Sequence, residues 1–196
     1  MVQTYQTVFS KKITGLGIIS IRPFQLETDT LMLHSWVTKP YAKYWGMLEK
    51  SLEEVRAEYQ EIEKSPHHYS YIGMLNDAPV FLMEQYKASE DIIANYYDVQ
   101  EKDYGMHVLV APVEKRIPQF TWHVFSTIID YFFSVPQIER IVVEPDVNNE
   151  KIHTLNRKAG FVYQKEIELP HKKAALAFCT KTMYQSALTK LEQHDK

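Results

Sequence analysis

The chain has 196 residues, of which 45% are apolar and 24% charged, with a formal net charge of −3. That length is enough for one domain with its own hydrophobic core, and the balance is that of a globular protein rather than a disordered one. The mild acidity argues against a nucleic-acid partner, the one cysteine, Cys179, excludes an internal disulfide, and no run approaches the roughly 18 apolar residues of a membrane span.

In chain order, residues 1–12 mix polar and aromatic side chains without a clear period and lack the apolar stretch of a signal peptide, so a cytoplasmic protein is expected. Ile18 to Phe24 reads as a strand that Pro23 ends. A helix starts near Glu27-Thr28-Asp29, with Leu31, Leu33, Trp36 and Val37 at near-helical spacing, and stops before Pro40. Pro40 to Gly46 is an aromatic turn, too short and irregular for regular structure. Ser51-Leu52-Glu53-Glu54 opens a second helix, running to about Lys64, with Leu52, Val55, Tyr59 and Ile62 on one face. Tyr69 to Leu75 and Pro79 to Tyr86 form a hairpin about Asn76-Asp77; alternation sets Phe81 and Met83 on one face and Val80, Leu82, Glu84 and Tyr86 on the other. Ala88 to Lys102 reads as loop with some turn.

Tyr104 to Val110 is the next strand, Gln119 to Ser134 a helix, and Arg140 to Glu144 a further strand. Asn148 to Ala159 is an amphipathic helix with Gly160 as its C-terminal cap. Phe161 to Leu169 and Lys172 to Thr180 are two final strands, and a helix is expected in the tail from Met183. The order β, α, α, β, β, β, α, β, α, β, β predicts an α/β (α+β) fold with a mixed sheet and a parallel pair joined by one crossover. A single domain over 1–196 is expected, with 1–15 and 183–196 as terminal extensions.

Polar residues at the ends of that strand pair are where chemistry is sought. His107 has two readings: a silent, hydrogen-bonded strand residue, or a general base, since imidazole titrates near neutrality. Gly105, two residues earlier, marks a close approach to the backbone. Asp146 follows Pro145; it either caps the next helix or faces a ligand beyond a strand's carboxyl end. Lys115 and Arg116 precede the start of a helix, where backbone N–H groups favour a phosphate, although no glycine lets a ligand approach closely. His67-His68 lacks partners at metal-ligand spacing, no Gly-x-Ser-x-Gly occurs, and Cys179 reads as an inert core thiol. No metal is expected.

Taken together, Leu33-His34-Ser35-Trp36, Pro40, Tyr44-Trp45-Gly46, Glu84-Gln85-Tyr86, Asp103-Tyr104-Gly105-Met106-His107, Glu144-Pro145-Asp146-Val147-Asn148-Asn149, Gly160-Phe161 and Lys172-Lys173-Ala174-Ala175-Leu176 carry a resemblance. From about Ile18 to Thr180 the chain resembles the GNAT acyl-CoA N-acyltransferases. More narrowly, it resembles the branch that acylates N6-hydroxylysine, N-hydroxycadaverine or N-hydroxyputrescine to a hydroxamate in siderophore biosynthesis and iron acquisition. The resemblance implies a GNAT fold, a mixed central sheet with a splayed parallel strand pair flanked by helices.

It also implies acetyl-CoA or succinyl-CoA as co-substrate, with no tightly bound cofactor. His107 and Asp146 are then the catalytic pair. His34, Trp36, Trp45, Glu84 and Tyr86 are expected to meet the amine. Val108, Leu109, Val110, Lys115, Arg116, Gln119, Asn149, Asn156 and Arg157 are expected along the acyl-CoA. The usual Q/R-x-x-G-x-G/A loop is replaced by Lys115-Arg116-Ile117-Pro118-Gln119, without glycine. Other readings are a protein N-terminal or other amine acetyltransferase of the same fold, and a non-catalytic acyl-CoA-binding domain. Small molecules, not nucleic acid or membrane, are the expected partners; oligomeric state and acyl group are left open.

Overall fold

The computed structural model describes residues 6–112 and 117–194. Its elements are β1 (Phe9–Ile13), β2 (Gly17–Pro23), α1 (Leu26–Val37), α2 (Leu52–Lys64), β3 (His68–Leu75), β4 (Ala78–Lys87), β5 (Asp103–Val110), α3 (Phe120–Ser134), β6 (Arg140–Val143), α4 (Glu150–Lys158), β7 (Val162–Leu169), β8 (Lys172–Thr180) and α5 (Lys181–His194). The expected order is present, with β1 added in front. Pro40–Trp45 forms a 3-10 turn rather than an irregular one, and the segment expected as loop with some turn holds two more, Ala88–Glu90 and Ile92–Tyr96. Backbone contacts group the chain into two compact units: Met1–Gln85 with His107–Ile128, and Tyr86–Met106 with Ile129–Lys196. β4, β5 and α3 each pass from one unit into the other.

In the first unit the strand order is β1-β2-β3-β4, continued by the second half of β5. β1 with β2 and β2 with β3 are antiparallel; Phe9 faces Ile21, and Ile21 faces Gly73. Helices α1 and α2 cover this sheet because their apolar stripes face it: Leu33, Trp36 and Val37 of α1 and Val55 and Tyr59 of α2 share a core with Ile72, Leu82, Leu109 and Ala111. Helix α2 starts in a complete capping box, with Ser51 accepting from the Glu54 backbone N–H and Glu54 accepting from that of Ser51. Helix α1 lacks a side-chain cap. It is fixed instead by a buried fork from Arg22 of β2, whose two terminal nitrogens donate to Asp29 at 2.7 and 2.8 Å.

In the second unit β5 pairs in parallel with β6, Asp103 with Arg140 through Gly105 with Val142, and the order continues antiparallel through β8 to β7. Arg140 locks the start of the parallel pair by donating to both carboxylate oxygens of Asp103, at 2.7 and 2.6 Å, while Tyr97 donates to the same carboxylate at 2.9 Å. The β5–β6 register ends at Gly105, while β5 itself runs on to Val110. Gly105 is required by a neighbour rather than by a ligand: a Cβ there would lie 1.9 Å from the Tyr86 ring. Gly160 takes φ +89° after α4, as a C-terminal cap requires. Cys179 is buried, and burial pushes its thiol up to about 12, so it is inert as expected.

Candidate active site

A carboxylate in the middle of the apolar run Phe81-Leu82-Met83 has to find partners or lose its charge. Glu84 is 5% exposed and keeps its charge by being surrounded with donors. Tyr59 of α2 donates its hydroxyl to Oε1 at 2.8 Å. Nδ1 of His107, from β5, lies 3.0 Å from Oε2, and Nε2 of His68, at the start of β3, lies 3.5 Å from the same oxygen. Burial alone would raise this carboxyl, but the hydrogen bonds from His107 and His68 outweigh it and hold the group down to about 2. Burial, and then the charge of Glu84, push Tyr59 well above the usual phenol range, so it remains a donor.

An ionised carboxylate only accepts hydrogen bonds, so the proton of neutral His107 sits on Nδ1 and Nε2 is the basic nitrogen. The His107 side chain is 38% exposed, enough to meet a solute, whereas the Glu84 side chain behind it is 7% exposed. Trp45 stands edge-on to the imidazole, ring centres 6.2 Å apart and planes at 79°. A buried anion, an oriented imidazole and an aromatic wall make an arrangement that can take up a proton at Nε2.

Asp146 lies in the second unit, in a tight turn after β6. Its Oδ1 accepts from the backbone N–H of Asn148 at 2.8 Å and from the Asn148 amide at 3.0 Å, and its own carbonyl accepts from the Asn149 N–H. A relay of side chains fixes that carbonyl further. Nε2 of His153 donates to it at 3.0 Å; Nδ1 of the same ring therefore accepts, and Tyr163 donates its hydroxyl there at 2.6 Å; the Tyr163 oxygen in turn accepts from Asn156 at 3.0 Å. Burial holds the Tyr163 hydroxyl above its usual range, in keeping with its role as a donor.

Of the other residues expected near substrates, several are engaged by groups of the chain itself. Trp36 is buried in the core of the first unit, which leaves Trp45 as the tryptophan beside His107. His34 is tied to the Lys50 carbonyl at 3.1 Å. Tyr86 is buried, packs on Gly105 and donates to Glu144 at 3.0 Å; Lys172 lies 3.5 Å from the other Glu144 oxygen. Asn156 is fully buried. Arg157 is exposed, its guanidinium 5.1 Å above the Tyr163 ring, and Asn149 precedes α4. Val108 and Val110 are half-buried, while Leu109 points into the core. Gln119 is exposed at the start of α3 with φ +56°, and Lys115 and Arg116 lie outside the described residues.

Sequence reasoning missed His68 and Tyr59 as partners of Glu84. The signal available was the charge itself, a glutamate inside an apolar run that demands donors. Among the described residues, no group of three or more His, Cys, Asp or Glu side chains is set to hold a metal ion.

A family model for the acetyltransferase (GNAT) domain matches residues 25–169. The chain is 30% identical over 154 residues to an N(5)-hydroxyornithine:cis-anhydromevalonyl coenzyme A-N(5)-transacylase of Beauveria bassiana, covering 78% of this chain and 34% of that protein. It is 28% identical over 160 residues to the N(6)-hydroxylysine O-acetyltransferase of Escherichia coli, covering 81% and 51%. The chain thus spans from about a third to about half the length of these curated relatives. A solved structure of an uncharacterized protein from Bacillus halodurans superposes with a TM-score of 0.86 at 29% identity, covering 98% of each chain. With three quarters of its length inside the family match, and with the mixed sheet and helices expected of it, the chain belongs to the GNAT acetyltransferase family.

Proposed function

We propose that this chain transfers an acyl group from acyl-CoA to an N-hydroxylated amine, giving a hydroxamate of the kind used in siderophores. The observation that carries the reading is the imidazole of His107, held at Nδ1 by the buried Glu84 carboxylate and flanked by Trp45. The fungal and bacterial relatives, named for transfer to hydroxyornithine and hydroxylysine, support the acceptor class.

The reaction is direct transfer. The acceptor nitrogen of the hydroxylamine attacks the thioester carbon, its proton passes to Nε2 of His107, and the C–S bond breaks as CoA leaves and takes up a proton. A hydroxylamine nitrogen is less basic than an alkyl amine, so much of it is already neutral at pH 7, and positioning supplies much of the rate. Beyond Gly105, where the β5–β6 register ends, backbone N–H groups of Val108 to Val110 are the donors we assign to the acyl-CoA carbonyl and pantetheine. The ring of Trp45 beside His107 suits an acceptor with a methylene chain. Asp146, with one carboxylate oxygen committed to Asn148, is suited to orienting rather than to proton relay.

The test is CoA release, followed as free thiol, from acetyl-CoA and succinyl-CoA against a panel of N6-hydroxylysine, N-hydroxycadaverine, N-hydroxyputrescine and their unhydroxylated parents. The expected result is release that depends on an N-hydroxylated acceptor, with hydroxamate formed in equal amount. Release that is fastest with the parent amines or with a peptide N-terminus would replace this reading by a general amine acetyltransferase. Binding of acyl-CoA with no release on any acceptor would replace it by a non-catalytic domain.

A further inference from the structure

Tyr59 joins two parts of the site that different elements bring in. Its hydroxyl donates to Oε1 of Glu84 at 2.8 Å, and the same hydroxyl is hydrogen-bonded by the side chain of Trp45. We propose that Tyr59 is a positioning residue for the transfer: through one hydroxyl it sets both the indole of Trp45, the wall that meets the acceptor, and the carboxylate of Glu84, which holds His107. The inference rests on the reading of His107 as the base and of Trp45 as that wall.

The chemistry of the groups fixes the direction of each bond. An indole N–H only donates and an ionised carboxylate only accepts, so Tyr59 accepts from Trp45 and donates to Glu84. Oε2 of Glu84 then meets Nδ1 of His107 at 3.0 Å. The path runs from Trp45 through Tyr59 and Glu84 to His107, and it returns to its start, because the Trp45 ring stands edge-on to the imidazole. Tyr59 is suited to hold this ring of contacts. It is 1% exposed, lies in the core of the first unit and has the Phe24 ring 5.0 Å away, so packing fixes where its hydroxyl stands. Trp45 needs such a tether. It ends the 3-10 turn just before Gly46, which takes φ +84°. Ala42 and Met47 anchor the backbone on either side of it in the core, while Trp45 itself is only partly buried there. The bond to Tyr59 selects the side-chain position that places the indole beside His107. On its other side the hydroxyl occupies one carboxylate oxygen, so that the second faces the imidazole.

The experiment compares wild type with Tyr59→Phe, Trp45→Phe and the double variant in the full chain. The acceptor is whichever amine of the panel above reacts fastest, so that a failure of the hydroxamate reading leaves the test intact. Tyr59→Phe keeps the ring and its packing and removes only the hydroxyl. We expect kcat to fall about tenfold and KM for the acceptor to rise about fivefold, the range for loss of one hydrogen bond to a charged group and one to a neutral group. KM for acetyl-CoA stays at its wild-type value. Adding Tyr59→Phe to Trp45→Phe lowers kcat again but raises the acceptor KM no further, because the indole N–H is already gone. In a ¹⁵N-tryptophan NMR spectrum, the Trp45 indole signal, assigned by its loss in Trp45→Phe, moves in Tyr59→Phe. Looser packing alone lowers the amount of active enzyme without dividing kcat from the acceptor KM in this way. An unmoved indole signal, acceptor KM effects that multiply in the double variant, or a Tyr59→Phe enzyme with wild-type kcat and acceptor KM each overturn the proposal. A His107→Ala enzyme with wild-type kcat instead refutes the base reading, and Tyr59 is then judged on the indole signal and the acceptor KM.

Discussion

Glu84 shows at the scale of one residue how burial and partners compete. Desolvation works against its charge, yet His107 and then His68 hold the carboxyl down to about 2, against about 4.3 for a free glutamate. Between those values the unfolded chain binds more protons than the folded one, so the contribution of this group is complete above about pH 4.5 and is lost as pH falls toward 2. Urea unfolding at a series of pH values should show wild type losing up to about 3 kcal/mol across that window, a loss that Glu84→Gln does not share; parallel curves would contradict it. Gly105 makes a second residue-scale case. With the Tyr86 ring 1.9 Å from where a Cβ would stand, Gly105→Ala must displace the ring or the strand. We expect about 1–3 kcal/mol of destabilisation, as for overpacked cores, read as a lower denaturant midpoint, and partly relieved when Tyr86→Leu is added.

Among the elements, the parallel pair β5–β6 depends on an ion pair more than on length, since β6 has four residues. Asp103 is 1% exposed at its side chain and accepts from both Arg140 and Tyr97. Asp103→Ala would leave that cation without its buried partner, at a cost of about 3 kcal/mol, measurable by urea unfolding; an unchanged midpoint would show that the register is held elsewhere. The helices and most strands were legible because their apolar periods match what they bury: Leu52, Val55, Tyr59 and Ile62 on α2 and the capping box before it are all visible as spacing. β1 was not, because Phe9-Ser10-Lys11-Lys12-Ile13 is an edge strand whose lysines, which suit an edge, hide its alternation. The cluster around Glu84 was half legible. Alternation placed Glu84 on one strand face and chain pattern singled out His107, but their contact depends on the pairing of strands 23 residues apart, and no local spacing encodes it. Trp36 fell the other way: its pattern is the same whether a helix presents it to a substrate or to its own core, where it is buried.

For the molecule as a whole, the family match covers residues 25–169, and the chain corresponds to part of the larger relatives it resembles. That span holds the imidazole of His107 and the buried carboxylate of Glu84 on which the proposed function rests. The most direct measurement is steady-state kinetics of CoA release with N6-hydroxylysine, comparing wild type with His107→Ala. The account predicts that kcat falls by about a hundredfold or more, the range for loss of a general base, while KM for acetyl-CoA changes little and the acid limb of the pH profile disappears. A His107→Ala enzyme with wild-type kcat and the same pH profile would contradict it.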